Sequence, residues 1–402
     1  MTSAFKGVDV LFICSYLGKF EASYRRISYF VNYLRSKGLR TACIGTINLT
    51  SRGIIRSSEE CFSIPLSISS RSIAVLPINI LLSFFLVLLI IILRPKVIVV
   101  SIPSSHLIIA SQIGSSLAKA KFIVDIRDPQ EEIMTHLYKK GFSGLMARIY
   151  RKISYSIYKR AHIIIGVTRT LATMLAKKIG KPVYLIPNGA DLYVFKPASK
   201  EEAREKFRLN QESFLVAYIG ILSSYGYYNI LPILIAIRKI RKELDIDVKM
   251  TIAGPLLDRG IRSVVKGFKD ELLYFGILDT TGVTTLLSAC DIGVVPRIED
   301  PIYDYAVPVK FYEYIATGLP LIVLANKESE IAKVVENNKL GFVCEPRDQA
   351  CLENVIRELA TDKSLLNRLK MNVLAYRKYV DREEGARKLL KLISKLLMGD
   401  LK

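Results

Sequence analysis

The sequence predicts an α/β protein of two doubly wound parallel-sheet domains, and three observations carry that prediction. The 402 residues are half hydrophobic, enough to fill two cores of ordinary size. Short apolar runs alternate with helical patterns along nearly the whole chain, which is the order of βαβ units. The runs are almost continuously apolar, as strands covered on both faces must be.

In the first half the strand runs are VDVLFIC from Val8, TACIGTI from Thr41, KVIVVSIP from Lys96, KFIVDIRD from Lys121 and AHIIIGVT from Ala161. Helical patterns from Tyr24, Val75 and His106 separate them. YLIPNGADLYVFKP, Tyr184 to Pro197, breaks the rhythm with two prolines and an Asn-Gly turn, so it reads as the linker. A helix starts near Ser199, with Glu202 completing a capping box. The rhythm resumes with FLVAYIG, VKMTIAG, LLYFG, ACDIGVVP, LPLIVLA and GFVCEP. The expected domains are 1–190 and 191–375, with a charged amphipathic helix over 376–402 packing back toward the first.

Charge is uneven. Residues 1–190 hold 26 basic and 8 acidic residues, net +18, whereas residues 191–402 hold 32 and 29, net +3. Between Ile133 and Ala190 there are eleven Lys or Arg and no Asp or Glu, a field that attracts anionic lipid, phosphorylated substrate or nucleic acid. No zinc-finger spacing, RNP-like motif or helix-turn-helix signature supports nucleic acid, and the high apolar content favours a membrane surface. The basic helix from Gly144 sets Leu145, Ile149 and Ile153 on one stripe, with Arg148, Arg151, Lys152, Lys159 and Arg160 largely elsewhere.

Val75–Leu93 is nineteen residues without a charge, long enough on length alone to cross a bilayer. Strand runs on both sides belong to one sheet, so a single crossing would divide that sheet across the membrane. The expected arrangement is a helix covering the sheet and dipping into one leaflet, probed at Leu86 and Leu89; a fully buried core helix is the alternative. Six cysteines without paired spacing read as reduced core residues, and three separated histidines give no metal-ligand spacing. No apolar signal segment precedes the first strand, so the cytoplasm is the expected compartment.

VPVKFYEYIATGLPLIVLAN, Val307 to Asn326, sets one carboxylate, Glu313, in a short apolar helix. Pro308 suits the first helical position, and Gly318 with Pro320 ends the helix. The amides of Val309, Lys310 and Phe311 then form an anion site, to which Lys310 adds a charge. Glu313, one turn further in, is placed to accept hydrogen bonds from hydroxyls attached to that anion.

With IPNGAD from Ile186, TIAGP from Thr251, YFGIL from Tyr274 and ACDIGVVP from Ala289, in that order, the Pro308–Pro320 segment resembles the family 4 (group 1) glycosyltransferases of GT-B fold. FIVDIRD, Phe122 to Asp128, further resembles the branch that builds surface polysaccharides and glycans. The resemblance implies two Rossmann-like domains facing a central cleft, the second holding a nucleotide diphosphate sugar and the first an acceptor. It gives Glu313 the ribose hydroxyls of the donor, as the second Glu of an E-x7-E motif. Val309 and Lys310 go to the diphosphate, and Gly18, Gly220, Ile277 and Arg297 to donor binding. Asp128 takes a polar position facing the transferred sugar, unless Asp125, Arg127 and Asp128 merely cap the following helix.

The family's first motif acid is replaced by Tyr305, with Asp304, Glu299 and Asp300 nearby. Its Arg and Lys are missing from GILSSYGYYN, Gly220 to Asn229, where tyrosines dominate. Catalytic candidates are therefore Asp128, Tyr305 and Lys310, with no cofactor and no metal; Asp245 and Asp247 are a weak D-x-D candidate. The implied function is retaining, metal-independent, hexosyl-type transfer to a membrane-associated, lipid-linked glycan acceptor at the cytoplasmic membrane face. A non-catalytic binding subunit or a nucleotide-sugar epimerase is the alternative. The implied partners are the nucleotide sugar, the acceptor and an anionic membrane surface, not nucleic acid.

Overall fold

The structure, a computed structural model, describes residues 7–14, 22–48, 62–67, 76–103 and 105–400. Two compact units result: one of residues 1–188 and 383–402, the other of 189–382. Each is a parallel sheet with helices on both faces, the fold class read from the sequence.

The first unit runs β1 (Val10–Cys14), α1 (Ala22–Ser36), β2 (Thr41–Asn48), β3 (Phe62–Ser67), α2 (Leu76–Leu93), β4 (Val97–Ile102), α3 (Ser105–Leu117), β5 (Lys121–Ile126), α4 (Gln130–Leu137), α5 (Gly141–Arg160), β6 (Ile163–Gly166), α6 (Arg169–Ile179) and β7 (Tyr184–Leu185). All pairings are parallel, in the order β3-β2-β1-β4-β5-β6-β7. The strand order reverses at β1, so right-handed connections send α1 to one face and α2, α3 and α5 to the other. On the α1 face, Ile27, Phe30 and Val31 join Leu389, Ile393 and Leu396 near the C-terminus in one core. On the other, α2 packs along α3 and α3 against α5. Gly114 permits the α2–α3 approach, because a Cβ there would stand 2.7 Å from Ile90 Cδ1.

The second unit runs α7 (Lys200–Lys206), β8 (Phe214–Ile219), α8 (Leu231–Leu244), β9 (Val248–Ala253), α9 (Arg259–Gly267), β10 (Leu272–Tyr274), α10 (Thr280–Ala289), β11 (Ile292–Pro296), α11 (Val309–Ala316), β12 (Leu321–Leu324), α12 (Glu330–Asn337), β13 (Gly341–Cys344), α13 (Gln349–Thr361) and α14 (Lys363–Tyr376). Its sheet order is β10-β9-β8-β11-β12-β13, reversing between β8 and β11. Ser199 caps α7 by accepting from Glu202 N–H at 3.2 Å. The last helix, α15 (Arg382–Met398), supplies the C-terminal core residues of the first unit.

One buried Arg–Asp pair fastens a helix to the sheet in each unit. Arg26 of α1 grips Asp125 at the end of β5 with two bonds of 3.0 and 2.9 Å, and donates to the carbonyls of Ile186 and Pro187. Arg204 of α7 donates to Asp291 at 2.9 Å and to the carbonyls of Ala289 and Ser213.

Two expectations are corrected. Cys344 and Cys351 are not reduced: they form a disulfide between the end of β13 and the first turn of α13, with Cα atoms 5.8 Å apart. Cys14, Cys43 and Cys290 are buried and not disulfide-bonded, and Cys61 lies outside the described residues. Leu86 and Leu89 do not lie on the outer face of α2: both are buried, with Leu82, Ile90 and Leu93.

Arg26→Ala strands the Asp125 carboxylate in the core and should cost about 3–5 kcal/mol. Arg40→Ala, whose exposed guanidinium pairs with Asp9, should cost far less, because solvent screens that pair. Urea denaturation of the two variants against the parent checks both.

Candidate functional site

The C-terminal edge of the second sheet gathers most of the candidate residues. β8 ends at Gly220 with φ +118° and β9 at Gly254 with φ +144°. A Cβ on Gly254 would come within 2.1 Å of the Gly220 carbonyl oxygen, so only glycine fits. Gly254 N–H donates to Gly276 O at 2.7 Å, tying the exit of β10 to the same edge and leaving the next residue, Ile277, exposed. Across the edge, Tyr228 bridges Arg297 and Asn229 N–H donates to Pro296 O at 2.8 Å. The loop after β8 is thus zipped to the loop after β11. Arg297 is buried and donates through Nη1 to Tyr303 O at 2.7 Å.

α11 enters this edge between them. Pro308 is the residue before the helix, with extended ψ of 149°, and not its first helical residue. Phe311 N–H folds back onto Pro308 O at 3.0 Å, so the free amides at the positive end of the helix are those of Val309 and Lys310, not three. Glu313 is buried one turn in.

Lys310 does not project as an open charge. Its Nζ lies 3.7 Å from the ring centroids of both Tyr218 and Tyr228, buried and without a hydrogen-bond partner. Burial drives its pKa well down; Glu313 pulls it up and Arg297 pushes it further down. Ring faces attract an ammonium without neutralising it. The side chain therefore holds a site for positive charge that lacks a close carboxylate. Gly220 borders it, since a Cβ there would sit 3.5 Å from Nζ. Tyr218 and Tyr228 escaped the sequence reading, although the tyrosine-rich run after β8 was the available signal.

Tyr305 is half-buried in the loop before α11. The acids around it are occupied: Glu299 pairs with Arg347, Asp300 accepts from Ile302 N–H at 3.0 Å, and Asp304 accepts from Asn326 at 3.1 Å. Asp245 closes α8 in a left-handed conformation, and Asp247 is held by Arg241, Lys249 and Ser213 at the start of β9, the opposite end of the sheet.

In the first unit Asp128 is half-buried between β5 and α4. The residue at the N-cap of α4 is Pro129, which has no side-chain hydrogen bond to give. Asp125 pairs with Arg26, and Arg127 donates to Ser101 at 3.0 Å. Gly18 lies outside the described residues.

The helical face of this unit is apolar outward. α2 exposes Leu81, Phe84, Phe85, Leu88 and Ile92, and α3 exposes Ile113 and Leu117. α5 is apolar on both sides: Leu145, Ile149 and Ile153 face solvent, while Ala147, Ser154, Ile157 and Tyr158 face inward. Tyr158 donates to the buried Glu131 of α4 at 2.5 Å, and burial raises the pKa of that carboxyl. Among the described residues, no helix is long and apolar enough to cross a membrane.

A helix N-terminus, a buried carboxylate and glycine turns at the carboxyl edge of a doubly wound sheet, next to its reversal point, are the features with which such folds bind phosphorylated ligands. Residues 199–375 match the family model described as glycosyl transferases group 1, and the chain has the GT-B fold of solved glycosyltransferases. It is 25% identical over 282 residues to the "Probable glycosyltransferase WbjE" of Pseudomonas aeruginosa, a match covering 66% of this chain and 67% of that one. It is 22% identical to a GDP-mannose-dependent alpha-(1-6)-phosphatidylinositol monomannoside mannosyltransferase of Mycobacterium tuberculosis, over 57% of this chain and 60% of the relative. Among solved structures, WaaG, a glycosyltransferase involved in lipopolysaccharide biosynthesis, is similar at TM-score 0.70 and 16% identity, covering 96% of this chain and 99% of that one. Anabaena HepE, solved with UDP, is similar at TM-score 0.70 and 14% identity, with coverage of 96% and 100%.

Gly254→Ala should destabilise the second unit by more than about 2 kcal/mol, because both its φ and the Gly220 carbonyl forbid a Cβ. Gly267→Ala, at the end of α9 with open space around it, should be neutral or slightly stabilising. Thermal melts of the two variants test this.

Proposed function

We propose that the protein is a retaining, metal-independent glycosyltransferase that moves a hexosyl group from a nucleotide diphosphate sugar to a lipid-linked glycan acceptor, working on the cytoplasmic face of the cell membrane. The donor reading rests on the first turns of α11, where two free amides, Lys310 and the buried Glu313 converge within the group 1 domain. Glu313 accepts from the ribose hydroxyls; hydrogen bonds to a carboxylate are worth about 1.5–3 kcal/mol each. The amides of Val309 and Lys310 receive the diphosphate, and Lys310 supplies charge once the Tyr228 ring moves aside. Gly220, Ile277 and Arg297 line the donor, Tyr305 stands toward the transferred sugar, and Asp128 keeps the role that the resemblance gives it.

In the reaction the bond from the anomeric carbon to the diphosphate breaks, an acceptor hydroxyl forms the new bond on the same face, and the hydroxyl proton passes to an oxygen of the departing diphosphate. The electron pair leaves with the diphosphate, where the helix end stabilises the growing negative charge. The acceptor reading draws on the outward apolar face of the first unit and its acid-free basic stretch, which fit an anionic lipid surface. The mycobacterial relative acts on a phosphatidylinositol mannoside, a lipid.

Glu313→Gln should keep the fold and lose most donor affinity or turnover; a variant that melts and works like the parent would rule out the ribose role. Lys310→Ala should weaken a nucleoside diphosphate more than the free nucleoside. Because burial depresses the Lys310 pKa, the ammonium is lost as pH rises through that lowered value, so diphosphate affinity should fall with rising pH in the parent and not in Lys310→Ala. Isothermal titration across pH reads both.

Chelator should leave turnover unchanged, whereas loss restored by magnesium or manganese would overturn the metal-independent reading. Phe84→Ser with Leu88→Ser should move the protein off membranes without unfolding it. Leu86→Asp with Leu89→Asp should unfold it, since both side chains are buried. Vesicle flotation and melting curves separate the two pairs.

A further inference from the structure

A cavity of about 360 Å³ opens in the first unit at the C-terminal ends of α3 and α5, where β5 and β6 begin. It lies at the edge of the sheet opposite Asp128. Its charged lining is Lys119, Lys121 and Arg160, and no carboxylate lines it. Among the described residues none of these three side chains enters an ion pair. His162 joins them with a defined tautomer: its Nδ1 accepts from Phe122 N–H at 3.1 Å, so the neutral ring offers Nε2–H as a donor. Burial, then Lys121 and Lys181, lower the His162 pKa and favour that neutral ring. Gln112 and Ser116 complete the polar wall. The turns of α3 that carry them also expose Ile113 and Leu117, beside the apolar face of α2.

We propose that this cavity binds the phosphate ester of an anionic lipid head group, held by Lys119, Lys121, Arg160 and His162 while the lipid chains lie along Ile113 and Leu117. Donors surround the space, as a phosphate with several acceptor oxygens requires. Ala120 and Phe122 also line it, and Ile113 and Leu117 are exposed on the adjoining turns of α3, so an amphiphile fits better than a wholly soluble anion. The inference rests on the membrane reading above and narrows it from a general attraction to one head-group position. It is separate from the nucleotide site, which lies in the other unit.

The chain has only three histidines, so the imidazole signal of His162 is identifiable by NMR through His162→Gln. Inorganic phosphate and glycerol 3-phosphate should each shift that signal saturably, and Lys119→Ser with Arg160→Ser should abolish the shift. In flotation, the parent should prefer vesicles of phosphatidylcholine with phosphatidylglycerol over phosphatidylcholine alone. The double variant should lose about thirtyfold of its partition onto the anionic vesicles, two charges at about fivefold each. Phe84→Ser with Leu88→Ser should lose vesicle binding and keep the phosphate shift.

If the shift occurs but the double variant keeps the parent's preference for anionic vesicles, or the parent binds no vesicles, the site serves a soluble phosphate and the lipid assignment is overturned. If neither phosphate moves the His162 signal, the site itself is overturned, even where the apolar helices still hold the protein on vesicles.

Discussion

The buried pairing of Arg26 with Asp125 is the constraint on which the first unit depends. A guanidinium and a carboxylate withdrawn from water each need all of their hydrogen bonds met inside. Arg26 meets this by bonding the tip of β5 and two carbonyls of the segment leaving the sheet, and it lies 4.7 Å over the Phe30 ring. One side chain thereby fixes α1, β5 and the chain's exit. Asp125 stands three residues before Asp128, so the same pair sets where the loop into α4 begins. In the second unit Arg204 and Asp291 do the equivalent work at the opposite sheet edge, and Asp291 also accepts from Leu215 N–H at 2.8 Å.

The alternation of apolar runs with helical patterns made both sheets legible, because a strand buried on two faces has few other compositions open to it. The α11 segment was legible for the same kind of reason: proline before, glycine and proline after, and one acid inside an apolar helix leave few readings. What escaped depends on partners distant in sequence. Nothing local marks Arg26 as the partner of Asp125, 99 residues away, or Tyr218 and Tyr228 as the surroundings of Lys310. The disulfide escaped because the spacing of Cys344 and Cys351 matches no motif; their approach is made by the turn from β13 into α13.

Periodicity also has a limit of sign. On α5 it located the Leu145, Ile149 and Ile153 stripe, and on α2 an apolar surface all round, but it does not say which side meets the sheet. Leu86 and Leu89 proved to be inner residues of a helix whose outer residues are equally apolar. Only the close α2–α3 packing over Gly114 decides between them.

The bond from Tyr158 to Glu131 has a consequence for the orientation of α5. Rolled about its own axis by nearly half a turn, the helix would bury its apolar stripe in place of Ala147 and Ile157, which are buried now. That rotation would also part the tyrosine from a carboxyl group already withdrawn from water, and the core acid would lose the Tyr158 hydrogen bond. The hydrogen bond therefore acts as a rotational lock. It holds a greasy surface outward against the tendency of that surface to hide, so the apolar face is a maintained state of the fold, not a failure of packing.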